Sequence, residues 1–176
     1  PAAHGVDPSD ASLEGFYRLA AELGMTAVFH TGYEHHFPVI RQEYGNPELL
    51  ARPLDCGLKV IAAHAGACSP LDPVDYYPNF VHMMERYENL YGETSVPMTL
   101  ARRFVVRRLG GEPEWLRGRL VHGSDYPIHA SRWPYLLWTG LFPPERHNPF
   151  DMNLHIKRKF GFDEGYRTRA WEIICG

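Results

Sequence analysis

Lys59-Val60-Ile61-Ala62-Ala63-His64-Ala65-Gly66 is a short apolar run that ends on an imidazole and opens onto small residues. Its length and composition suit a strand buried on both faces. Upstream, Met25-Thr26-Ala27-Val28-Phe29-His30-Thr31-Gly32 has the same form. Downstream, Asn89-Leu90-Tyr91-Gly92-Glu93-Thr94 and Arg119-Leu120-Val121-His122-Gly123-Ser124-Asp125 repeat it with other polar endings. From His30 to His64, Thr94 and Asp125 the interval is roughly thirty residues each time, the size of one strand-plus-helix unit. Strands that end on His or Asp at that period are how a parallel barrel gathers polar side chains at one rim.

Helical patterns fill the intervals. Leu13, Phe16, Tyr17, Ala20 and Leu23 form a stripe over 12–23, with Asp10 or Ser12 to cap its start and Gly24 at its end. Asn46-Pro47-Glu48 reads as a cap, a first-turn proline and an acid at the positive helix end. That helix is expected to end or kink near Pro53. Further helices are expected over 78–88, from Pro97 to Leu109, from Asn148-Pro149 to about Phe160, and from an Asp163 cap to Cys175. The strands are expected at 25–30, 59–64, 89–95 and 119–124, with Thr26–Phe29 and Val60–Ala63 buried on both faces.

Alternating strands and helices imply an α/β fold with a parallel sheet. Four strands cannot close a barrel, and an eightfold barrel takes roughly 250 residues. The expectation is a partial TIM (β/α)8 barrel, about strands 5–8 with their helices. Residues 1–176 would then be the C-terminal part of a single barrel domain, starting after a strand that the chain does not contain. Such a half-barrel leaves strand edges and an apolar inner face open, so a homo-oligomer is expected.

The chain has 176 residues, 44% of them apolar, enough for one packed domain. A net charge of −3 gives no argument for nucleic acid or a membrane surface as partner. No apolar run is long enough to span a bilayer, and no signal-peptide pattern is present. Three cysteines without a CxxC read as free thiols in a reducing, cytoplasmic setting.

The ten histidines invite a closer look. Side chains alternate along a strand, so His30 shares a face with Val28 and Thr26, and His64 with Ala62 and Val60. Both imidazoles are expected at the C-terminal rim, with Asp125 at the end of the fourth strand. Imidazoles and a carboxylate converging there suit a divalent cation, zinc above all. An ion of that kind lowers the pKa of bound water from about 16 toward about 7, and a neighbouring carboxylate can take the proton. The bland alternative is that each is a buried, hydrogen-bonded polar residue.

Val28-Phe29-His30-Thr31-Gly32, Asn46-Pro47-Glu48-Leu49-Leu50, Lys59 through Gly66 and Gly123-Ser124-Asp125-Tyr126-Pro127 resemble the amidohydrolase superfamily, in particular its amidohydrolase-related branch of hydrolases and decarboxylases. The resemblance implies a metal-dependent TIM barrel. His30 matches the fifth-strand metal ligand. His64 matches the sixth-strand histidine, a ligand or a catalytic hydrogen-bond donor. Asp125 matches the eighth-strand aspartate, a ligand and proton acceptor. The family's first-strand His-x-His pair and its fourth-strand ligand have no counterpart in this chain.

The function expected is metal-dependent hydrolysis of an amide, ester or lactone of a small-molecule substrate. One alternative is non-oxidative decarboxylation of an aromatic or unsaturated acid. Another is a non-catalytic module or an inactive fragment. Arg132, Trp133 and Tyr135 lie just past the fourth strand, and Tyr33 just past His30; these are the candidate substrate contacts. His35 and His36 share the Tyr33 loop, where solvation is the simpler reading. His122 is out of phase with Asp125 and is expected to face the helices. Thr94 and Ser95 are candidates to support the site by hydrogen bonds. Cys68 shows no neighbouring base and is read as inert.

Overall fold

The structure is a computed structural model that describes residues 1–35, 37–95, 103–125, 136 and 148–176. Four parallel strands form one sheet in the order β1-β2-β3-β4. They are β1 Thr26–His30, β2 Lys59–Ala63, β3 Leu90–Glu93 and β4 Leu120–Val121. The register pairs Val28 with Ile61, Ile61 with Tyr91, and Glu93 with Val121, so each strand lies parallel beside its predecessor. Helices connect them: α1 Glu14–Glu22, α2 Ala51–Asp55, α3 Tyr77–Arg86, α4 Arg103–Gly110, α5 Glu114–Arg117, α6 Pro149–Lys159 and α7 Arg169–Cys175. This is the expected α/β partial barrel.

Local chemistry sets the helix ends. Asp10 caps the 3-10 turn before α1, its carboxylate accepting from Ser12 N at 2.8 Å. Gly24 follows α1 with φ +68°, a conformation that costs glycine little. Asn46 caps the next turn by accepting from Glu48 N at 3.1 Å. The backbone there is 3-10 over Pro47–Leu50 before α2 begins, and α2 stops two residues after Pro53. Asp163 accepts from Tyr166 N at 2.6 Å ahead of the C-terminal turns. The short α5, opened by Pro113, is an element that the sequence reading did not foresee. The expected start of α4 at Pro97 lies outside the described residues.

The two faces of the sheet carry different cores. Val60, Ala62, Leu90 and Leu120 join Phe80, Met84 and Leu116 in the main cluster under the helices. Ile61 and Val121 point the other way and pack on Ile173 of α7. Gly92 is small for a reason: a Cβ there would run into the Phe80 ring and Leu120. Burial of Phe80, Met84, Leu90 and Leu120, each fully inside, stabilises by about 1.5–3 kcal/mol per side chain.

β1 departs from expectation. Val28, in its centre, is 62% exposed, so this strand is not buried on both faces. Ala27 and Phe29 pack against the helix-side core, leaving Thr26, Val28 and His30 on the inner face. α7 covers that inner face farther along the sheet, over Ile61 and Val121, and does not reach Val28. Phe16, Leu19, Leu23 and Met25 add exposed apolar surface beside this edge.

Among the described residues β1 ends the sheet, and a strand edge flanked by apolar side chains is a template for association. The 176-residue chain is expected to self-associate in sedimentation velocity, and Val28→Lys to shift it toward monomer. A wild-type chain that sediments as a sharp, concentration-independent monomer contradicts this.

Candidate active site at the strand mouth

His30 ends β1 on the inner face, in register with Ala63. Strict alternation from Val60 and Ala62, which face the helix-side core, would send His64 under the helices. It does not go there, because β2 stops at Ala63 and the backbone turns left-handed. His64, Ala65 and Gly66 have φ of 68°, 50° and 67°. The expectation that His64 reaches the rim on the Val60–Ala62 face is therefore corrected. The turn re-aims it, and its ring meets that of His30 edge to face, with centroids 4.7 Å apart.

Hydrogen bonds hold this turn. The Thr31 hydroxyl donates to Ala63 O at 2.7 Å and accepts from Gly66 N at 2.8 Å. His64 N donates to Glu93 Oε2 at 3.3 Å. Ser95 Oγ donates to the same Oε2 at 2.7 Å and lies 2.8 Å from His64 Nδ1. His30 Nδ1 lies 3.6 Å from Glu34 Oε2.

Glu93 sits on the inner face at the end of β3. Burial raises its pKa against the Ser95 hydrogen bond, the Lys157 charge and the His64 amide; the Asp125 charge raises it further. Gly123 passes directly over it, and a Cβ there would overlap the carboxylate. The turn that carries Asp125 is thereby brought to the same end of the sheet. Asp125 has φ 56°. Among the described residues, His64, Ala65 and Asp125 are the non-glycine residues with positive φ. Each such residue costs of order 1 kcal/mol or more, a cost that persists where surroundings over-determine it.

Lys157, from α6, was not anticipated. It is 1% exposed, and burial pulls its ammonium pKa down while the Glu93 charge pulls it up. Its Nζ donates to Gly123 O at 3.0 Å and lies 3.2 Å from His122 Nδ1. A signal was available in the sequence. Asn153 and Lys157 lie one residue after Met152 and Ile156 on the same buried stripe of α6. His122 faces the helices as expected, edge-on to Tyr166 at 5.7 Å. Burial, then the charges of Lys157 and Arg167, lower its pKa to about 4.

The other candidates are placed as follows. Tyr33 is buried, stacked on Tyr76 with centroids 5.5 Å apart and on His35 at 6.1 Å. His35 Nε2 is 2.9 Å from Asp72 Oδ1. Burial raises the Cys68 thiol pKa, which keeps it protonated and unreactive. Arg132, Trp133, Tyr135 and His36 lie outside the described residues. Two imidazoles in contact fit two positions in the shell of a divalent ion. Among the described residues, no three His, Cys, Asp or Glu side chains converge to complete one. Among the described residues, no helix is long and apolar enough to cross a membrane.

Two measurements check these electrostatics. Lys157→Met removes the donor to Gly123 O and the favourable charge near Glu93, and is expected to lower unfolding free energy by about 1–3 kcal/mol in urea titration. No loss would refute a stabilising role for the buried ammonium. His122 binds its proton less readily folded than unfolded between about pH 6.5 and 4. Its contribution therefore removes stability as pH falls through that window. By NMR its ring is expected to remain neutral until about pH 4; an ordinary midpoint near 6.5 would contradict the environment described.

Comparison with known proteins bears on the fold and the family. No curated protein sequence matches the chain. An uncharacterised TIM-barrel protein from Bordetella bronchiseptica superposes with a TM-score of 0.56 at 20% identity, covering 88% of this chain and 51% of that one. A proposed 2-pyrone-4,6-dicarboxylic acid hydrolase from Pseudomonas putida superposes with a TM-score of 0.51 at 16% identity, covering 93% of this chain and 54% of that one. The chain thus spans about half the length of these two structures. At such identities they speak for the barrel fold alone. The amidohydrolase family profile matches residues 1–160. Members of that family usually bind a divalent metal. The chain belongs to the amidohydrolase family.

Proposed function

We propose that these residues form part of the active site of a metal-dependent hydrolase that cleaves an amide, ester or lactone. The observation that carries this reading is the contact of the His30 and His64 rings, 4.7 Å between centroids, at the C-terminal mouth of the sheet. Strained backbone at His64 and Asp125 supports it, since strain gathers where geometry serves function. Family membership supports a hydrolase, and the Pseudomonas putida neighbour is named for hydrolysis of a pyrone, a cyclic ester.

His30 and His64 would hold the ion through ring nitrogens; among the described residues Asp125 does not converge with them as a third ligand, and it is proposed as the proton acceptor at the same end of the sheet. When bound there, a divalent cation such as zinc supplies a Lewis acid and lowers the pKa of water toward about 7. Asp125 accepts the proton of the attacking water and returns it to the leaving group. Arg132, Trp133 and Tyr135 are proposed to contact substrate, with Tyr33 shaping the loop behind His30.

Zinc titration followed by calorimetry tests the binding half. His30→Ala and His64→Ala are each expected to weaken zinc binding at least about tenfold. For the chemistry, acid release from a panel of esters, lactones and amides is expected to fall about 10²–10⁴-fold in Asp125→Asn. Unchanged zinc affinity in both histidine variants would refute the metal site. Carbon dioxide release from carboxylic acids, without hydrolysis of the panel, would replace the hydrolase with a decarboxylase.

A further inference from the structure

β4 is two residues long, and the chain leaves the sheet almost as soon as it enters. Val121 ends the strand, its carbonyl accepting from Thr94 N and from the Thr94 hydroxyl, both at 3.2 Å. Past that point the C-terminal segments take hold of the backbone. His122 N donates to Tyr166 O at 3.3 Å. Gly123 O accepts from Lys157 Nζ of α6 at 3.0 Å. A carbonyl oxygen only accepts, so the direction of this bond is the same for a charged and a neutral lysine.

Gly123 is gripped from two sides. A Cβ on it would overlap the Glu93 carboxyl, so the residue lies flat against that group. Its carbonyl is held from the other element by a side chain that is 1% exposed. The peptide unit is planar, so the Gly123 carbonyl fixes the plane that also carries Ser124 N. Turning that plane would break the Lys157 bond, and sliding it would drive Gly123 into Glu93. Asp125 follows directly after Ser124, with φ 56°. Left-handed backbone is disfavoured for a residue with a side chain and persists where the surroundings fix the chain. The restraint is itself anchored, since Met152 and Ile156 of α6 pack on Val106 of α4.

We infer that Lys157 is a positioning residue that pegs the Gly123–Ser124 peptide and so holds Asp125 in its left-handed conformation at the mouth of the sheet. The peg follows from the geometry; that it serves a proton acceptor rests on the reading of the preceding subsection. It makes the placement of Asp125 depend on a helix outside the sheet as well as on the strand that carries it.

The test reads the backbone of Asp125 by NMR in the metal-free chain, where the three-bond HN–Hα coupling and the 13Cα shift report φ. Lys157→Met keeps an unbranched apolar stem and removes the donor, and Asp125 is expected to leave the left-handed region. Ile156→Val loosens the same helix without touching the peg, and Asp125 is expected to stay as in the wild type. An Asp125 that remains left-handed in Lys157→Met overturns the inference. So does one that moves as far in Ile156→Val, because general loosening of α6 would then suffice. Should Lys157→Met fail to fold, the wild type decides: a coupling across the hydrogen bond, from Lys157 15Nζ to the Gly123 carbonyl 13C, is expected, and its absence overturns the peg.

Kinetics of the zinc-supplied chain on the ester, lactone and amide panel separate the peg from the function. Lys157→Met is expected to lower kcat about 10–100-fold with KM nearly unchanged, as displacement of a reacting group does, and Ile156→Val to leave both near wild type. A Lys157→Met chain with wild-type kcat overturns the positioning role. A wild-type chain inert toward the whole panel, with Asp125 released only in Lys157→Met, would sink the hydrolase reading while the peg stands.

Discussion

A carboxylate withdrawn from water must be given donors and a compensating charge, and Glu93 sets that demand at the centre of this chain. Its surroundings answer it from four directions. The His64 amide comes from the end of β2, and the Ser95 hydroxyl from just past β3. The Lys157 charge comes from α6, and Gly123, past the end of β4, gives the carboxylate room by having no side chain. Three strand ends and one helix are thereby tied to one functional group. The site holds its shape because the two donors to Oε2 and the close fit of Gly123 over the carboxyl all depend on the position of this one side chain.

The same constraint explains why regular alternation fails where it does. A side chain that follows Val60 and Ala62 in phase would enter the apolar cluster beneath the helices, beside Phe80 and Leu90. The left-handed turn at His64 and Ala65 avoids that and costs of order 1 kcal/mol or more per residue. Thr31 and Glu93 offset the cost by capturing the amides of Gly66 and His64. Such hydrogen bonds contribute about 1 kcal/mol each, more when an acceptor is charged. The balance is close enough that removing one partner would let the turn relax.

Much of this was legible in the sequence because it depends on short-range pattern. Apolar runs of strand length, caps such as Asp10, Asn46 and Asp163, and the even spacing of polar strand ends all report local physics. They gave the parallel order of the sheet and the placement of His30 beside the second histidine. What depends on distant partners was not legible. Val28 reads as core by composition, and only the sheet order shows it beside an open edge. The His64 turn follows from bonds to residues roughly thirty positions away on either side. Lys157 shares the helical stripe of Met152 and Ile156, but which of the basic residues near the end of α6 is buried becomes clear only with Glu93 and His122 in view.

The two histidines reach their meeting point by different routes, and the difference has a chemical meaning. His30 is the last residue of a regular strand and needs no special backbone. Its Nδ1 has a carboxylate, Glu34, at 3.6 Å, a loose contact on a neighbouring loop. His64 stands on strained backbone, with its Nδ1 engaged at 2.8 Å and its amide pinned. The support of His64 runs through Ser95 to the carboxylate at the end of β3, so the placement of this imidazole is tied to Glu93 as well as to its own turn.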